Sequence, residues 1–283
     1  MIALMKLQLA GVPLGNPGDA SPRLMEAIKA AEIIAAEDSR RFQRLCQDLG
    51  ISTAAKVLSF FEGNEDERTE QLLLELKNGT EVLVLTDAGM PTVSDPGFKL
   101  VRAAIASDIP VEVIPGPSAV TTALALSGLP TDRFCFEGFV PRTQGAREEY
   151  FEKLKFEERT IVIFEAPHRL IETLQVAKKI FGGQRSAALC REMTKTYEET
   201  IRGSLTAIEE WARSKEILGE ITIVIGGAAK EAKNLSQQEI INQVRKLESV
   251  GMDRKEAIAA VAAELDLPKR EIFDAMVAAK SKG

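Results

Sequence analysis

The segment Thr86–Gly97, with the sequence TDAGMPTVSDPG, constrains the fold more than any other part of the chain. It follows the apolar run Val82–Leu85, which is typical of a buried parallel strand. Two glycines, two prolines and two aspartates in these twelve residues prevent a continued strand or a regular helix. A helical pattern resumes at Asp95 or Pro96. The segment is therefore predicted to be a loop at the carboxyl end of a strand, where open α/β sheets bind their ligands.

A second loop of the same kind, Pro115–Ala119, follows the next apolar run, Val111–Ile114. We expect the two strands to be neighbours and their loops to form two walls of one pocket. Ser118 and Ala119 also begin a helical pattern, so unpaired N–H groups and the positive end of the helix dipole should face this pocket. Such an end can hold a carboxylate or a phosphate.

Strand and helix patterns alternate five times in the first half of the chain, which predicts a mostly parallel sheet with helices on both faces. A second α/β unit is predicted from Arg133 onward, and residues 197–202 are compatible with an additional antiparallel strand. Residues 228–283 contain no strand pattern and predict three short helices. We expect an N-terminal α/β domain (1–116), a second α/β domain (117–227) and a C-terminal helical module (228–283).

Composition excludes several kinds of site among the 283 residues. The three cysteines, Cys46, Cys135 and Cys190, are far apart and include no C-x-x-C pair, so buried free thiols are expected. A single histidine, His168, excludes a His-rich metal site, and no metal is predicted. The net charge of −6 argues against binding nucleic acid by bulk electrostatics. We find no apolar run of membrane-spanning length and no signal peptide, so a cytoplasmic protein is expected.

Familiar catalytic motifs are missing. The sequence has no G-x-x-x-x-G-K-[ST] phosphate loop and no G-x-G-x-x-G after its first strand. The segment Gly116–Val120 lacks the last glycine of a nucleophile elbow. A Ser–His pair would also require Ser118 to meet His168, the one histidine.

A set of motifs covering nearly the whole chain resembles the tetrapyrrole-methylase superfamily. Within it, the chain resembles the ribosomal small-subunit RNA (cytidine-2′-O)-methyltransferases called RsmI. The matching motifs are VPLGNPGD (12–19), AAEDSRR (35–41), LTDAGMPTVSDPG (85–97), IPGPSA (114–119), GLPTDRFCFEGFVP (128–141), FEAPHRL (164–170), CREMTKTYEE (190–199), GEITIVIGG (219–227) and DRKEAIAAVAAELDLPKREIF (253–273). The charged motifs EDSR, EAPHR and REMTK distinguish this rRNA branch from the porphyrin-modifying one.

The resemblance implies two α/β domains with S-adenosylmethionine bound in the cleft between them. Carried over by motif, the cofactor should contact Pro13, Asp87, Gly89, Met90, Val93, Ser118, Ala119, Glu165, Ala166, Arg191 and Gly219. The same resemblance implies a homodimer, with the small ribosomal subunit and its 16S rRNA as partner.

The implied reaction moves a methyl group to the ribose 2′-oxygen of a cytidine in the decoding region. A base or positioning group could be Asp38, Glu165, His168 or Lys195, with Glu37 and Glu198 as alternatives. Arg40, Arg41, Arg169, Lys195 and Arg191 are candidates for phosphate contact, although Asp38 and Arg40 could equally pair with each other. A tetrapyrrole methyltransferase and a catalytically silent RNA- or ribosome-binding protein stay open as alternatives.

Overall fold

The computed structural model describes residues 6–228, 237–265 and 267–280. The chain divides into two compact units, one ending at Gly227 and one beginning at Ala228. Both sheets belong to the first unit, so the expected boundary between residues 116 and 117 stays a prediction. Among the described residues, no helix has the length and apolar character needed to cross a membrane.

The first sheet is wholly parallel, with the strand order β3-β2-β4-β1-β5. Its strands are β1 (Leu7–Ala10), β2 (Ile33–Ala36), β3 (Lys56–Ser59), β4 (Val82–Leu85) and β5 (Val111–Ile114). Helices α1 (Pro22–Ala30), α2 (Ser39–Asp48), α3 (Glu65–Lys77) and α4 (Phe98–Ala106) connect them. Strand β1 lies between β4 and β5, so the expectation that β4 and β5 are neighbours was wrong. The loop after β1 therefore joins the other two at the same edge of the sheet.

The alternating side chains of β4 show why helices cover both faces of this sheet. Val82 and Val84 pack with α3 and α4, whereas Leu83 and Leu85 pack with α1 and α2. Successive side chains of a strand point to opposite faces, and all four are buried. This layered arrangement confirms the prediction of a parallel sheet with helices on both faces.

The second sheet is mixed, with the strand order β6-β7-β10-β8-β9. Its strands are β6 (Phe134–Phe139), β7 (Thr160–Glu165), β8 (Ser186–Arg191), β9 (Glu199–Ser204) and β10 (Ile221–Ile225). Helix α5 (Ala119–Ser127) packs on one face, and α6 (Gln144–Lys153), α7 (Leu170–Phe181) and α8 (Leu205–Arg213) pack on the other. Strand β9 is antiparallel to β8, which confirms the additional strand near residues 197–202.

The described residues of the C-terminal unit form three helices, as the sequence predicts. They are α9 (Gln237–Ser249), α10 (Arg254–Leu265) and α11 (Lys269–Lys280). Their shared core includes Val244, Ala257, Val261 and Ile272, all nearly or fully buried. The predicted module also includes residues 229–236, 266 and 281–283, which lie outside the described residues.

Two glycines hold the loop after β1 against the loop after β5. A Cβ on Gly116 would lie 2.7 Å from three backbone atoms of Gly11, a distance that real Cβ atoms do not show. The N–H of Gly11 donates to the carbonyl of Ile114 at 3.0 Å. Only glycine at both positions therefore lets the two backbones approach this closely.

Gly116→Ala should destabilise the protein by about 1–3 kcal/mol, because the new methyl group pushes two backbones apart. Gly145→Ala is the matched control, since a Cβ at Gly145 in α6 meets nothing within 4 Å. That change should be neutral or stabilise the helix by about 1 kcal/mol. Urea denaturation measures both, and equal free energies of unfolding would contradict the close approach.

Candidate active site

A cavity of about 480 Å³ lies between the loops of the first sheet and those of the second. From the first sheet it is lined by Leu14, Glu37, Arg41, Asp87–Met90, Val93–Asp95, Ser118 and Ala119. From the second it is lined by Phe139, Phe164–Pro167, Met193 and Gly219–Thr222. The size is that of an ordinary small-molecule pocket.

Backbone contacts fix the wall that follows β4. Val12 and Gly89 form an antiparallel bridge, with N–H to carbonyl distances of 2.9 and 3.1 Å. Gly89 has φ +77°, a conformation that favours glycine. The loop after β4 is therefore tied to the loop after β1 where backbone, rather than side chain, faces the cavity.

Two strained loops face the cavity from opposite sides. Among the described residues, five non-glycine residues have positive φ, and four of them are Thr92, Ser94, Glu192 and Thr194. Val93 and Met193, between the members of each pair, line the cavity. Such conformations cost about 1–3 kcal/mol each and persist where the surrounding structure holds them. Their concentration at one cavity indicates a functional site.

Thr194 shows how one of these loops is held. Its N–H donates to Glu198 Oε2 at 2.5 Å, and its hydroxyl oxygen accepts from the N–H of Asn16 at 3.2 Å. Glu198, an alternative candidate for the base, therefore supports this loop, and it does not line the cavity.

Most of the charged residues that line the cavity are acidic. Glu37 Oε2 accepts from the N–H of Asp87 at 3.1 Å, and Asp87 Oδ1 accepts from the N–H of Asp38 at 3.1 Å. Burial raises the pKa of both Glu37 and Asp87, although Arg41, 3.4 Å from Asp87, opposes the rise at both carboxyl groups. Glu220 is a further acidic lining residue. A cationic ligand would be stabilised here.

Asp95 differs from Glu37 and Asp87 in the partners of its carboxylate. It is half-buried and lines the cavity. In the part of the chain that the structure describes, no hydrogen bond or ion pair reaches its carboxylate. Burial, followed by the like charges of Glu37, Asp87 and Glu220, raises the pKa of Asp95 to about 7. Asp95 is not among the site residues predicted from the sequence.

Glu165, a candidate base, is fully occupied by structural contacts. It forms an ion pair with Arg169 at 2.5 Å and accepts from the hydroxyl of Thr173 at 2.5 Å and from the N–H of Ala166 at 2.7 Å. Its side chain has no exposed surface. Glu165 and Arg169 together fix the turn from β7 into α7, and this turn forms a cavity wall.

The remaining base candidates lie away from the cavity or are paired. Asp38 caps α2 and pairs with Arg40 at 3.0 Å, and hydrogen bonds from Arg40 lower the pKa of Asp38 to about 2. His168 is exposed and does not line the cavity. Although burial lowers the pKa of Lys195, hydrogen bonds to Glu192 and Glu220 more than compensate and raise it. Lys195 is therefore a cation at neutral pH.

A second depression of about 520 Å³ adjoins the cavity, and we call it the arginine groove. It is lined by Pro13, Leu14, Gly15, Pro17, Asp38, Arg40, Arg41, Arg44, Leu45, Asp48 and Asp87. Leu14, Arg41 and Asp87 line both spaces. The arginines of α2 are mostly exposed, so their guanidinium groups are available to an anionic partner despite aspartate neighbours.

Most of the residues predicted to bind the cofactor line the cavity, and two do not. Asp87, Gly89, Met90, Val93, Ser118, Ala119, Glu165, Ala166 and Gly219 line the cavity. Pro13 lines the arginine groove instead. Arg191 lines neither space, because its guanidinium donates to the carbonyl of Leu218 at 3.0 Å and to Glu199 at 3.3 Å. The structure thus brings together, around one cavity, nine of the eleven residues predicted to bind the cofactor.

An aromatic pair that the sequence analysis missed stands at the cavity wall. The pairing of β6 with β7 shifts between Phe136 and Phe139, and Gly138 has φ +67° there. Bulges of this kind redirect a side chain. Phe139 packs against Phe164 at 5.5 Å between ring centroids and stays 56% exposed. The EGF triplet at 137–139 contains the necessary glycine, but it does not reveal the bulge.

The residues around the cavity fit the methyl donor that the family resemblance implies. Ser118 caps α5 without a side-chain hydrogen bond, so the first N–H groups of this nine-residue helix are available to a carboxylate. The acidic lining suits a sulfonium cation. Gly89 and Gly219 have φ +77° and +90° and keep side chains out of the space.

Comparison with known proteins agrees with this fold. The sequence model of the family described as Tetrapyrrole (Corrin/Porphyrin) Methylases matches residues 6–209. A solved structure of uroporphyrin-III C-methyltransferase from Thermus thermophilus, complexed with S-adenosylhomocysteine, superposes with a TM-score of 0.54. It is 17% identical and covers 78% of this chain and 97% of that chain. The fold is thus that of a tetrapyrrole-methylase-type protein.

Relatives found by sequence comparison identify the family within the tetrapyrrole methylases. Ribosomal RNA small subunit methyltransferase I of Mycobacterium tuberculosis (strain ATCC 25618 / H37Rv) is 46% identical over 273 residues, which cover 96% of this chain and 94% of the relative. The protein of the same name from Synechocystis sp. (strain ATCC 27184 / PCC 6803 / Kazusa) is 37% identical over 98% of this chain and 99% of the relative. The chain belongs to the ribosomal RNA small subunit methyltransferase I family of the tetrapyrrole methylases.

Proposed function

We propose that this chain transfers the methyl group of S-adenosylmethionine to the ribose 2′-oxygen of a cytidine in the decoding region of 16S rRNA. The observation that carries the proposal is the junction of two spaces. An acidic cavity, suited to a cation, shares Leu14, Arg41 and Asp87 with a groove lined by arginines. Donor and polyanionic acceptor can therefore meet at one point.

The donor side of the proposal rests on the cavity residues. The N-terminal end of α5, at Ser118 and Ala119, would hold the carboxylate of the donor's methionine part. The carboxylates of Glu37, Asp87 and Glu220 would stabilise its positive charge. When bound, S-adenosylmethionine supplies an electrophilic methyl group on a sulfonium sulfur.

The acceptor side of the proposal rests on the arginine groove. Arg40, Arg41 and Arg44 lie on α2, with Arg40 and Arg44 one turn apart. Guanidinium groups bind phosphate oxygens in two-pronged geometry. RNA phosphates held there would bring a neighbouring ribose toward the cavity. Alignment of reacting groups can contribute up to about 7–11 kcal/mol to catalysis.

A labelled methyl donor tests the proposal directly. Small ribosomal subunits from cells lacking the modification are incubated with the enzyme and the donor, and a porphyrin precursor is incubated in parallel. Nucleoside digestion should return label only as 2′-O-methylcytidine, and mapping of labelled rRNA fragments should place it at one decoding-region position. Label in the porphyrin alone would instead identify a tetrapyrrole methyltransferase, and label in neither would identify a silent binder.

Arg40→Ala should raise KM for the small subunit about three- to tenfold, because one phosphate contact is lost. The slope of log KM against log salt concentration should also fall by about one. Affinity for S-adenosylhomocysteine should not change, since Arg40 does not line the cavity. Arg102→Ala on α4 is the control, an exposed arginine outside both spaces. Equal KM values for the two variants would remove Arg40 from the RNA-binding surface.

We further propose a cytoplasmic homodimer, as the resemblance implies. Sedimentation equilibrium at micromolar concentration should give twice the chain mass of 30.9 kDa. A single species of the chain mass would contradict the dimer and leave the proposed chemistry untouched.

A further inference from the structure

The carboxyl groups around the cavity differ in what already binds them. Glu165 is held by Arg169, Thr173 and Ala166. Glu37 accepts from the backbone of Asp87. Each of these carboxylates has a structural task that a proton transfer would interrupt.

Two further cavity-lining carboxylates, those of Asp87 and Glu220, lie next to cationic side chains. Asp87 accepts from the backbone of Asp38 and lies 3.4 Å from Arg41, and Glu220 lies 3.0 Å from Lys195. Within residues 6–228, 237–265 and 267–280, Asp95 is the one cavity-lining carboxylate that no hydrogen bond or ion pair engages.

Asp95 lies in the part of its loop that approaches the second sheet. Ser94, the preceding residue, has φ +65°, and its Oγ would lie 3.7 Å from a Cβ on Gly138 of the second sheet. Gly138 precedes Phe139, whose exposed ring lines the same cavity. The strained backbone therefore holds Asp95 in the cavity wall where a loop of the first sheet approaches the second sheet.

We propose that Asp95 is the catalytic residue that accepts the proton of the attacking ribose hydroxyl group. The inference rests on the proposed function and names a residue for the same site. The 2′-oxygen forms a bond to the methyl carbon while the bond between that carbon and sulfur breaks, and the sulfur keeps the electron pair. The hydroxyl proton moves to the Asp95 carboxylate and leaves to water after product release.

The charged surroundings of Asp95 suit this task. Glu37 follows β2, Asp87 follows β4, and Glu220 precedes β10, so like charges from three different elements act on Asp95. Burial, together with these like charges, raises the pKa of Asp95 to about 7, whereas an isolated aspartate would be too weak a base. A base whose pKa lies near the working pH is the most effective one.

The first experiment compares the wild type with Asp95→Asn in the methylation assay across pH 5.5–9. For the wild type, kcat should rise with pH to a plateau, with a midpoint near 7. The variant should lose about 10²–10⁴-fold in kcat and lose this pH dependence, while its affinity for S-adenosylhomocysteine stays the same. Asp132→Asn, at an exposed aspartate outside the cavity, should match the wild type. Unchanged kcat in Asp95→Asn would overturn the assignment.

A second variant separates Asp95 from Glu37. Glu37→Gln removes a negative charge that faces Asp95, so the midpoint of the kcat profile should move to lower pH. Loss of the pH dependence in Glu37→Gln, with its retention in Asp95→Asn, would make Glu37 the base instead.

A third measurement does not depend on the proposed function. Because the folded pKa of Asp95 lies above its ordinary value of 3.8, the wild type should lose stability relative to Asp95→Asn as pH rises from about 4 to 7. A constant difference in Tm across that range would contradict the unusual protonation of Asp95. If the difference in Tm changes with pH as expected but small subunits are not methylated, the proposed function is refuted and the unusual protonation of Asp95 stands.

Discussion

Replacing Ala119 with tryptophan is expected to weaken binding of S-adenosylhomocysteine at least about 100-fold, or about 2.8 kcal/mol. Ala119 is the first residue of α5 and lines the cavity, so an indole ring would occupy the space of the ligand. Its helical position accepts tryptophan at a propensity cost below about 0.7 kcal/mol. Calorimetric titration measures the affinity, and circular dichroism checks that the fold is retained.

Ala125→Trp provides the matched control. Ala125 belongs to the same helix, is exposed and does not line the cavity. This variant should bind S-adenosylhomocysteine as the wild type does. If both variants bind normally, the donor is held elsewhere; if both lose binding, the effect belongs to the helix and not to the cavity.

Glu165→Gln is expected to lower the free energy of unfolding by about 3–5 kcal/mol, the cost of breaking a buried ion pair by removing one partner. The side chain of Glu165 is fully buried, and that of Arg169 is only 14% exposed, so the guanidinium would be left without its counter-charge. The carbonyl of Val140, 3.1 Å from Arg169, accepts one hydrogen bond but carries no charge. Urea denaturation measures the loss.

The control for this variant is Glu152→Gln. Glu152 pairs with Lys155 on the surface at 3.7 Å, and exposed pairs contribute at most about 1 kcal/mol. A loss below that value at position 165 would contradict the structural role of the pair. A large loss would also explain lowered methylation in Glu165→Gln without assigning catalysis to Glu165.

The strands and their ligand-binding edge could be predicted because the local signals are strong. The apolar run Val82–Leu85 followed by glycines and prolines identifies a buried strand and its loop, and all four residues carried over from that loop line the cavity. The order of the strands could not be predicted in the same way. Placing β1 between β4 and β5 depends on packing across the whole sheet, which local pattern does not encode.

The roles of single side chains were harder to predict, because they depend on partners distant in sequence. Arg191 is held by Leu218 and Glu199, and neither contact is visible in the motif that contains it. Asp95 stands out only once the other cavity carboxylates are known to be engaged. Phe139 lines the cavity next to a bulge, and a bulge depends on the pairing register of β6 with β7.

The position of the bound donor tests the central claim most directly. A crystal structure with S-adenosylhomocysteine should show it between the two sheets, with its carboxylate at the N–H groups that follow Ser118 and its sulfur facing the carboxylates of Glu37, Asp87 and Glu220. Electron density for the ligand in the arginine groove, with the cavity left to solvent, would contradict the account.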